Sequence, residues 1–297
     1  MNENLKFVIS GSRGWLSSHF INRLNNLGYS VFEIKNENMW EEAKIASSKG
    51  NNKTILIHNA FISPTGNEET NLENYKNKLI KNFKYVEDFI DNVKIGSIFY
   101  PSTGRVYYLN SGKTDLYDIY ADQKLFEEEK LKFFSKKYNF SLIIARIFSL
   151  IGSNEFFNSK SSFQTLIRDS VLKEKLIIKS NTNDLHSISL MDNLIALVIS
   201  IFLNNNQDPL VQFDVVDDDR TLLNFSELIF QKLKLDPKNL QHSIDLSKNY
   251  REYVGSQSEY KKLMQQYVKN PFTLENYLSC VLNDQLHPSE LPQFKHL

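Results

Sequence analysis

This sequence predicts an α/β fold built on a doubly wound, mostly parallel sheet, and three observations carry that prediction. Short apolar strands alternate with amphipathic helices through the first half of the chain. A glycine-containing turn, Ser10-Gly11-Ser12-Arg13-Gly14-Trp15, stands directly behind the first strand. The alternation then loosens after about Gly152. Parallel strands joined through helices need right-handed crossovers, which place helices on both faces of one sheet.

The elements follow in order. Phe7-Val8-Ile9 is a buried strand, and Trp15 to Leu27 has apolar residues at helical spacing (Leu16, Phe20, Ile21, Leu24) before Gly28 stops it. Val31 to Ile34 reads as a strand, Met39 to Ser48 as a helix and Thr54 to His58 as a strand. A long amphipathic helix covers Leu72 to Asn92, with Leu79, Phe83, Val86 and Ile90 on one face. Ser97 to Tyr100 is a strand, Tyr120 to Tyr138 a helix and Leu142 to Ala145 a strand. Beyond Gly152 the pattern predicts helices at Phe163 to Lys173, Asn193 to Phe202 and Asn224 to Leu233, the last capped by Thr221. Strands are expected at Leu176 to Ile178 and Gln212 to Val216. The stretch 203–209 reads as a surface loop and Asp284 to Leu297 as a loosely held end.

Composition narrows the function classes. Lys plus Arg and Asp plus Glu both number 35, so the formal net charge is zero and nothing points to a polyanionic partner such as nucleic acid. The single cysteine, Cys280, excludes an internal disulfide framework and a multi-cysteine zinc site, and no metal is expected. No apolar run approaches the ~20 residues of a membrane span. Met1-Asn2-Glu3-Asn4 leads straight into the first strand without a signal-peptide pattern. The expectation is a soluble, cytoplasmic protein.

The glycine turn is a seat for a dinucleotide. Gly11 allows the tight turn and Gly14 lets the backbone approach a pyrophosphate, where unpaired N–H groups and the helix dipole favour negative charge. Ser12, Arg13, Trp15 and Leu16 complete the turn, and Ser17, still small, stands where a third glycine would be. An NAD reader ends its second strand with an acid for the ribose 2′-OH. Here Glu33-Ile34-Lys35-Asn36 puts Lys35 at that place, with Arg13 beside the same ribose. Two cations suit a 2′-phosphate, so NADPH is expected over NAD. Glu33, on the same side of the strand, becomes the reader if the register slips by two.

Chemistry for that cofactor stands further on. Of 14 tyrosines only Tyr120 has a lysine four residues later, Lys124. Tyr120 also follows Thr103 of Ser102-Thr103-Gly104-Arg105-Val106-Tyr107 by seventeen residues. A proton donor, a cation to tune it and a hydroxyl to orient a carbonyl suffice for reducing a ketone.

In this order the motifs resemble the extended short-chain dehydrogenase/reductases that modify nucleotide sugars, nearly end to end. The glycine turn resembles their Thr-Gly-x-x-Gly-x-x-Gly, and His58-Asn59-Ala60-Phe61 their His-x-Ala-Ala, which passes beside the cofactor. Ser102 to Tyr107 resembles Ser-Ser-x-x-Val-Tyr, and Tyr120 with Lys124 fits Tyr-x-x-x-Lys. Arg146-Ile147-Phe148-Ser149-Leu150-Ile151-Gly152 resembles Arg-x-Phe-Asn-x-x-Gly, Leu190 to Leu194 the later His-Val-Asp-Asp-Leu, and Thr273-Leu274-Glu275 the closing helix. The resemblance implies a Rossmann-type NADP-binding domain at 1–152 and a mainly substrate-binding region at 153–297, some of whose strands and helices return to the first. It makes Tyr120 the acid, Lys124 the residue that lowers its pKa and bonds the nicotinamide ribose, and Thr103 the orienter of the carbonyl. Asn59, Ala60 and Phe61 would line the cofactor, and Thr103, Arg105, Ser149 and His186 the substrate, with Phe156 and Phe157 near its cleft. It further implies a homodimer through the helices at Leu72 to Asn92 and Tyr120 to Tyr138, with Phe126, Phe133 and Phe134 at or near the interface.

Departures from the family pattern select among its reactions. Gly104 and Arg105 replace the Asp and Glu of the dehydratases, and Cys280 is far from where the base-catalysed epimerases carry a cysteine. Ser149 stands for the usual Asn, and His186 falls near a position where an Arg meets the diphosphate. The reading that results is an NADPH-dependent reductase of a keto group on a nucleotide-activated sugar, in surface-polysaccharide precursor synthesis. The alternatives are a nucleotide-sugar 4-epimerase, a reductase of non-sugar ketones or aldehydes, and a dinucleotide-binding regulator or scaffold without catalysis.

Overall fold

The computed structural model describes residues 5–48, 53–62, 72–109, 116–152, 162–178, 181–204, 208–242 and 251–283. Phe156, Phe157, the middle of the 203–209 loop and the tail from Asp284 lie outside the described residues. The chain divides into two compact units, Met1–Arg146 with Phe202–Gln212, and Ile147–Ile201 with Phe213–Leu297.

The first unit is the alternating half. It runs β1 (Leu5–Ser10), α1 (Trp15–Asn26), β2 (Ser30–Ile34), α2 (Met39–Ser48), β3 (Lys53–His58), α3 (Leu72–Asn92), β4 (Ile95–Thr103), a short 3₁₀ turn (Gly104–Tyr108), α4 (Leu116–Tyr138) and β5 (Ser141–Ile147). Phe7, Val8 and Ile9 of β1 are fully buried, as expected of a central strand covered on both faces. β1 pairs in parallel with β2 on one side and β3 on the other, and β3 pairs in parallel with β4. The strand order therefore reverses between β1 and β3, the switch point where such sheets open a crevice at their carboxyl ends. Gly28, at φ +79°, ends α1 by letting Tyr29 N–H reach the Leu24 carbonyl at 3.0 Å.

Two expectations need correction here. α4 begins at Leu116, one turn before Tyr120, so Tyr120 is an interior helical residue. Phe134 is only 8% exposed and packs in its own chain's core with Leu131, Phe140 and Leu142, whereas Phe126 and Phe133 are exposed. At helical spacing Phe133 and Phe134 point about 100° apart, so one can face solvent while the other is core.

The second unit contains β6 (Ser149–Ile151), α5 (Ser162–Lys173), β7 (Leu176–Ile178), β8 (Leu185–Leu190) and α6 (Met191–Leu203). The chain continues through β9 (Leu210–Val215), which joins the large sheet as its sixth strand, in the order β2-β1-β3-β4-β5-β9. Then follow β10 (Asp218–Thr221), α7 (Leu222–Leu233), β11 (Leu240–His242), β12 (Glu252–Tyr253), α8 (Gln257–Tyr267) and α9 (Leu274–Asn283). β8 is the hub of a four-stranded sheet, with β10 antiparallel and β6 and β12 parallel to it. Thr221 caps α7 as expected, its hydroxyl accepting from Asn224 N–H at 3.1 Å. Among the described residues no helix is long and apolar enough to cross a membrane.

Candidate active site

The turn behind β1 meets the segment behind β3 at the switch point. Gly11 adopts φ +66°, and a Cβ there would lie 2.6 Å from the Ala60 Cα, so both backbone sign and space demand glycine. Gly14 caps α1 without a side-chain bond and accepts from Ser18 N–H at 3.0 Å. Trp15 and Leu16, the first residues of α1, are half-buried. Two buried polar atoms have no partner here, Ser12 Oγ in the turn and Asn59 Oδ1 in the segment behind β3. A buried polar group without a partner is costly, and a ligand bearing phosphate and hydroxyl groups would satisfy both. The residues present therefore fit a dinucleotide pyrophosphate.

Asn59 and its neighbours are fixed from behind. Asn59 Nδ2 donates to Ser17 Oγ at 3.0 Å, which gives the small residue at the third glycine position a task of its own. Ala60 N–H donates to Ser10 Oγ at 3.3 Å, and Ser10 Oγ lies 2.7 Å from His58 Nδ1. Burial, reinforced by the Lys124 charge, pushes the His58 pKa down to about 3, so the ring is neutral.

Lys35 and Arg13 are exposed at the rim. Lys35 lies 3.4 Å from Glu33, so the two candidate ribose readers of β2 neutralise one another in part. Beside them lies a cavity of about 320 Å³ running from Gly11 and Ala60 to Lys35, Asn36, Lys78 and Lys81. Lys81 pairs with Glu37 at 2.8 Å, and Tyr85 donates to the same carboxylate at 2.8 Å. The sequence reading missed this wall. Its signal was the spacing of Lys78, Lys81, Asn82 and Tyr85, which puts four polar-tipped residues along one face of α3.

The candidate chemical groups gather on Phe61. Tyr120 is half-buried with its ring edge-on to Phe61, centroids 4.9 Å apart. Lys124, one turn along α4 and 3% exposed, lies 3.9 Å from the centroid of the same ring and 4.5 Å from that of Tyr100. Its ammonium donates to the Pro101 carbonyl at 2.8 Å, which ties it to the end of β4. Thr103 closes that strand, 7% exposed, with Oγ1 accepting from Arg105 N–H at 3.2 Å. Its hydroxyl hydrogen is not used by that bond and can be donated. Burial lowers the Lys124 pKa to about 8 against the opposing pull of Glu127 and Glu128, so the ammonium persists at neutral pH.

Arg105 reaches Asp118 at 3.4 Å and lies over the Tyr117 ring. Ser149 and His186 meet within the second unit, Oγ to Nδ1 at 3.5 Å, where β6 runs beside β8. Phe163 and Tyr253 flank the imidazole at 5.1 and 5.9 Å. Burial pushes the His186 pKa down, so it is a neutral hydrogen-bonding group at neutral pH.

No family model matches the sequence, and no curated protein is similar to it. Solved structures are similar in shape. The UDP-glucose 4-epimerase of Thermotoga maritima, solved with UDP-glucose, has a TM-score of 0.74 at 14% identity, over 94% of this chain and 97% of that one. The UDP-N-acetylglucosamine 4-epimerase of Methanobrevibacter ruminantium M1, with UDP-N-acetylmuramic acid bound, gives 0.73 at 15%, over 95% and 98%. A dTDP-glucose 4,6-dehydratase double mutant from Streptomyces venezuelae, with NAD bound, gives 0.69 at 11%, over 93% and 95%.

The chain shares the fold of these nucleotide-sugar enzymes. At these identities the likeness concerns the backbone. Within that fold, the local contacts above connect the glycine turn to Tyr120 and Lys124. Gly11 presses on Ala60, Ala60 precedes Phe61, and Phe61 touches both Tyr120 and Lys124.

Proposed function

We propose that the chain is an NADPH-dependent reductase of a keto group on a nucleotide-activated sugar, a step suited to surface-polysaccharide precursor synthesis. The observation that carries the proposal is Phe61, which joins the dinucleotide turn to Tyr120 and Lys124. Nucleotide-sugar enzymes of the same fold support the substrate class. The nicotinamide would supply the hydride. Tyr120 holds the proton at its hydroxyl and gives it to the substrate oxygen. Lys124 favours the phenolate that remains and offers its unused N–H groups to the ribose. Thr103 donates its free hydroxyl hydrogen to the same substrate oxygen. Gly11, Ser12, Gly14 and the start of α1 hold the pyrophosphate. Arg105, Ser149 and His186 are proposed to contact the substrate.

The 2′-phosphate falls to Arg13 and Lys35, and Lys35 lines the cavity together with Lys78 and Lys81. A second reading, a 4-epimerase that retains NAD, draws on the carboxylates of Glu33 and Glu37 at the end of β2, and on the NAD bound in the dehydratase of the same fold. Dissociation constants for NADPH and NADH separate the two. Tighter NADPH supports the reductase, whereas equal or tighter NADH means that a β2 carboxylate reads the ribose. We also propose a homodimer through α3 and α4, whose exposed Ile80, Phe126 and Phe133 are large apolar side chains on those two helices. Sedimentation at the monomer mass across micromolar concentrations would refute it.

A further inference from the structure

We infer that Glu127, held by Tyr100 and Gln123, is a positioning residue that serves as the buried counter-charge of Lys124 and keeps its ammonium seated beneath Phe61. The inference rests on the reading of Lys124 as the partner of Tyr120. Four side chains, two of each charge, gather around the inner face of α4. Lys124, Glu127 and Glu128 on the helix are buried, and Arg146 on β5 is half-buried beside them. Glu128 is already matched. It accepts from Arg146 Nε at 3.1 Å and Nη2 at 2.6 Å, and also from Ser102 Oγ. Arg146 in turn lies over the Tyr107 ring. That leaves Glu127, 1% exposed, for Lys124.

Tyr100 joins the two groups. Its ring lies under the ammonium at 4.5 Å, while its hydroxyl donates to Glu127 Oε2 at 2.8 Å. Gln123 Nε2 donates to Oε1 at 2.9 Å, so the carboxylate is fixed at both oxygens. Burial raises the Tyr100 pKa well above the ordinary value, so the phenol stays a donor. From β3, His58 faces the same site and is neutral. The groups that set the charge state of Lys124 are thus Glu127, Glu128 and Tyr120 on its own helix, with Tyr100 of β4, His58 of β3 and Arg146 of β5 around them. A buried lysine with no negative neighbour loses its proton readily. A carboxylate held in place without taking a proton from the lysine prevents this while leaving the N–H groups available for ligand.

The test is a titration of Lys124 in the whole, cofactor-free protein, followed by NMR of lysine carrying ¹³C at Cε. Its signal is assigned by loss in Lys124→Ala. Glu127→Gln keeps the size and one accepted hydrogen bond, lets the new amide nitrogen donate to Tyr100 Oη, and removes the charge. The expected result is a midpoint about one pH unit or more below that of the wild-type protein, equal to a roughly tenfold smaller charged fraction above the midpoint. Glu127→Asp should recover part of the shift. A Glu127→Gln midpoint equal to that of the wild type, with the fold intact by circular dichroism, overturns the inference. NADPH affinity is measured on the same variants against pH. If the midpoint moves but affinity does not follow it, the inference stands and the cofactor role of Lys124 fails.

Discussion

Buried carboxylates in the two units serve different partners. In the first unit Glu127 and Glu128 accept hydrogen bonds from side chains only: Tyr100, Gln123, Ser102 and Arg146. In the second unit three aspartates accept from backbone as well as from side chains. Asp184 takes Arg251 N–H at 2.8 Å, Asp214 takes Ser256 N–H at 2.8 Å, and Asp217 takes Leu190 N–H at 2.7 Å. Each joins segments far apart in sequence, where strands of two to six residues leave N–H groups that no ladder satisfies. The second unit's carboxylates therefore act as structure. Those of the first unit surround a lysine with charge, an arrangement that contributes little to stability for its desolvation and makes sense as preparation for chemistry.

The sharpest break in that comparison is Tyr120→Phe. The ring still packs on Phe61 but the transferable proton is gone. Turnover should fall about 10²–10⁴-fold while NADPH affinity stays within about twofold, measured by steady-state kinetics and fluorescence titration. Wild-type turnover in this variant would remove Tyr120 from the mechanism.

Asp217→Ala should act on the other side, through stability alone. It strands Leu190 N–H and Tyr260 Oη, which now reach the carboxylate at 2.7 and 3.1 Å. The expected cost is roughly 2–5 kcal/mol in urea unfolding, with NADPH affinity of the folded protein unchanged. Burial raises the Asp217 pKa to about 7 from an ordinary 3.8, so the native state binds more protons than the unfolded chain between those values. Its contribution is complete below about pH 4 and is lost as pH rises through about 7. Asp217→Asn should flatten that slope.

Thr103→Ala should cost about 1–3 kcal/mol in transition-state stabilisation, seen mainly in kcat, with a smaller change in melting temperature. Arg13→Ala is the mildest. It should weaken NADPH by several-fold and leave NADH nearly unaltered, since only the phosphorylated ribose offers it a charge partner. Equal weakening of both would assign Arg13 to the shared pyrophosphate.

Legibility in the sequence divided along the same line. The first unit could be read because strands such as Phe7-Val8-Ile9 are buried on both faces and helices such as α3 carry a clear apolar stripe. Gly11, Tyr120 and Lys124 were visible because chemistry and backbone geometry restrict those residue types. β6, β8, β10 and β12 were missed. They are short, and Leu185-His186-Ser187-Ile188-Ser189-Leu190 buries serines that side-chain and backbone bonds satisfy, so no apolar run marks it. α4 was placed one turn late, and its inner face carries Gln123, Lys124, Glu127 and Glu128, which periodicity reads as a solvent face. Gln123, Glu127 and Glu128 of that face are the part of the candidate site the sequence reading left out, although Lys124 beside them was read.

The most direct measurement follows nicotinamide absorbance and product by mass spectrometry, with deuterium-labelled NADPH and a panel of nucleotide-linked keto-sugars. The account predicts stoichiometric NADPH oxidation with one deuterium delivered to the former carbonyl carbon, abolished in Tyr120→Phe. Interconversion of nucleotide sugars without net cofactor consumption would contradict it and establish the epimerase reading.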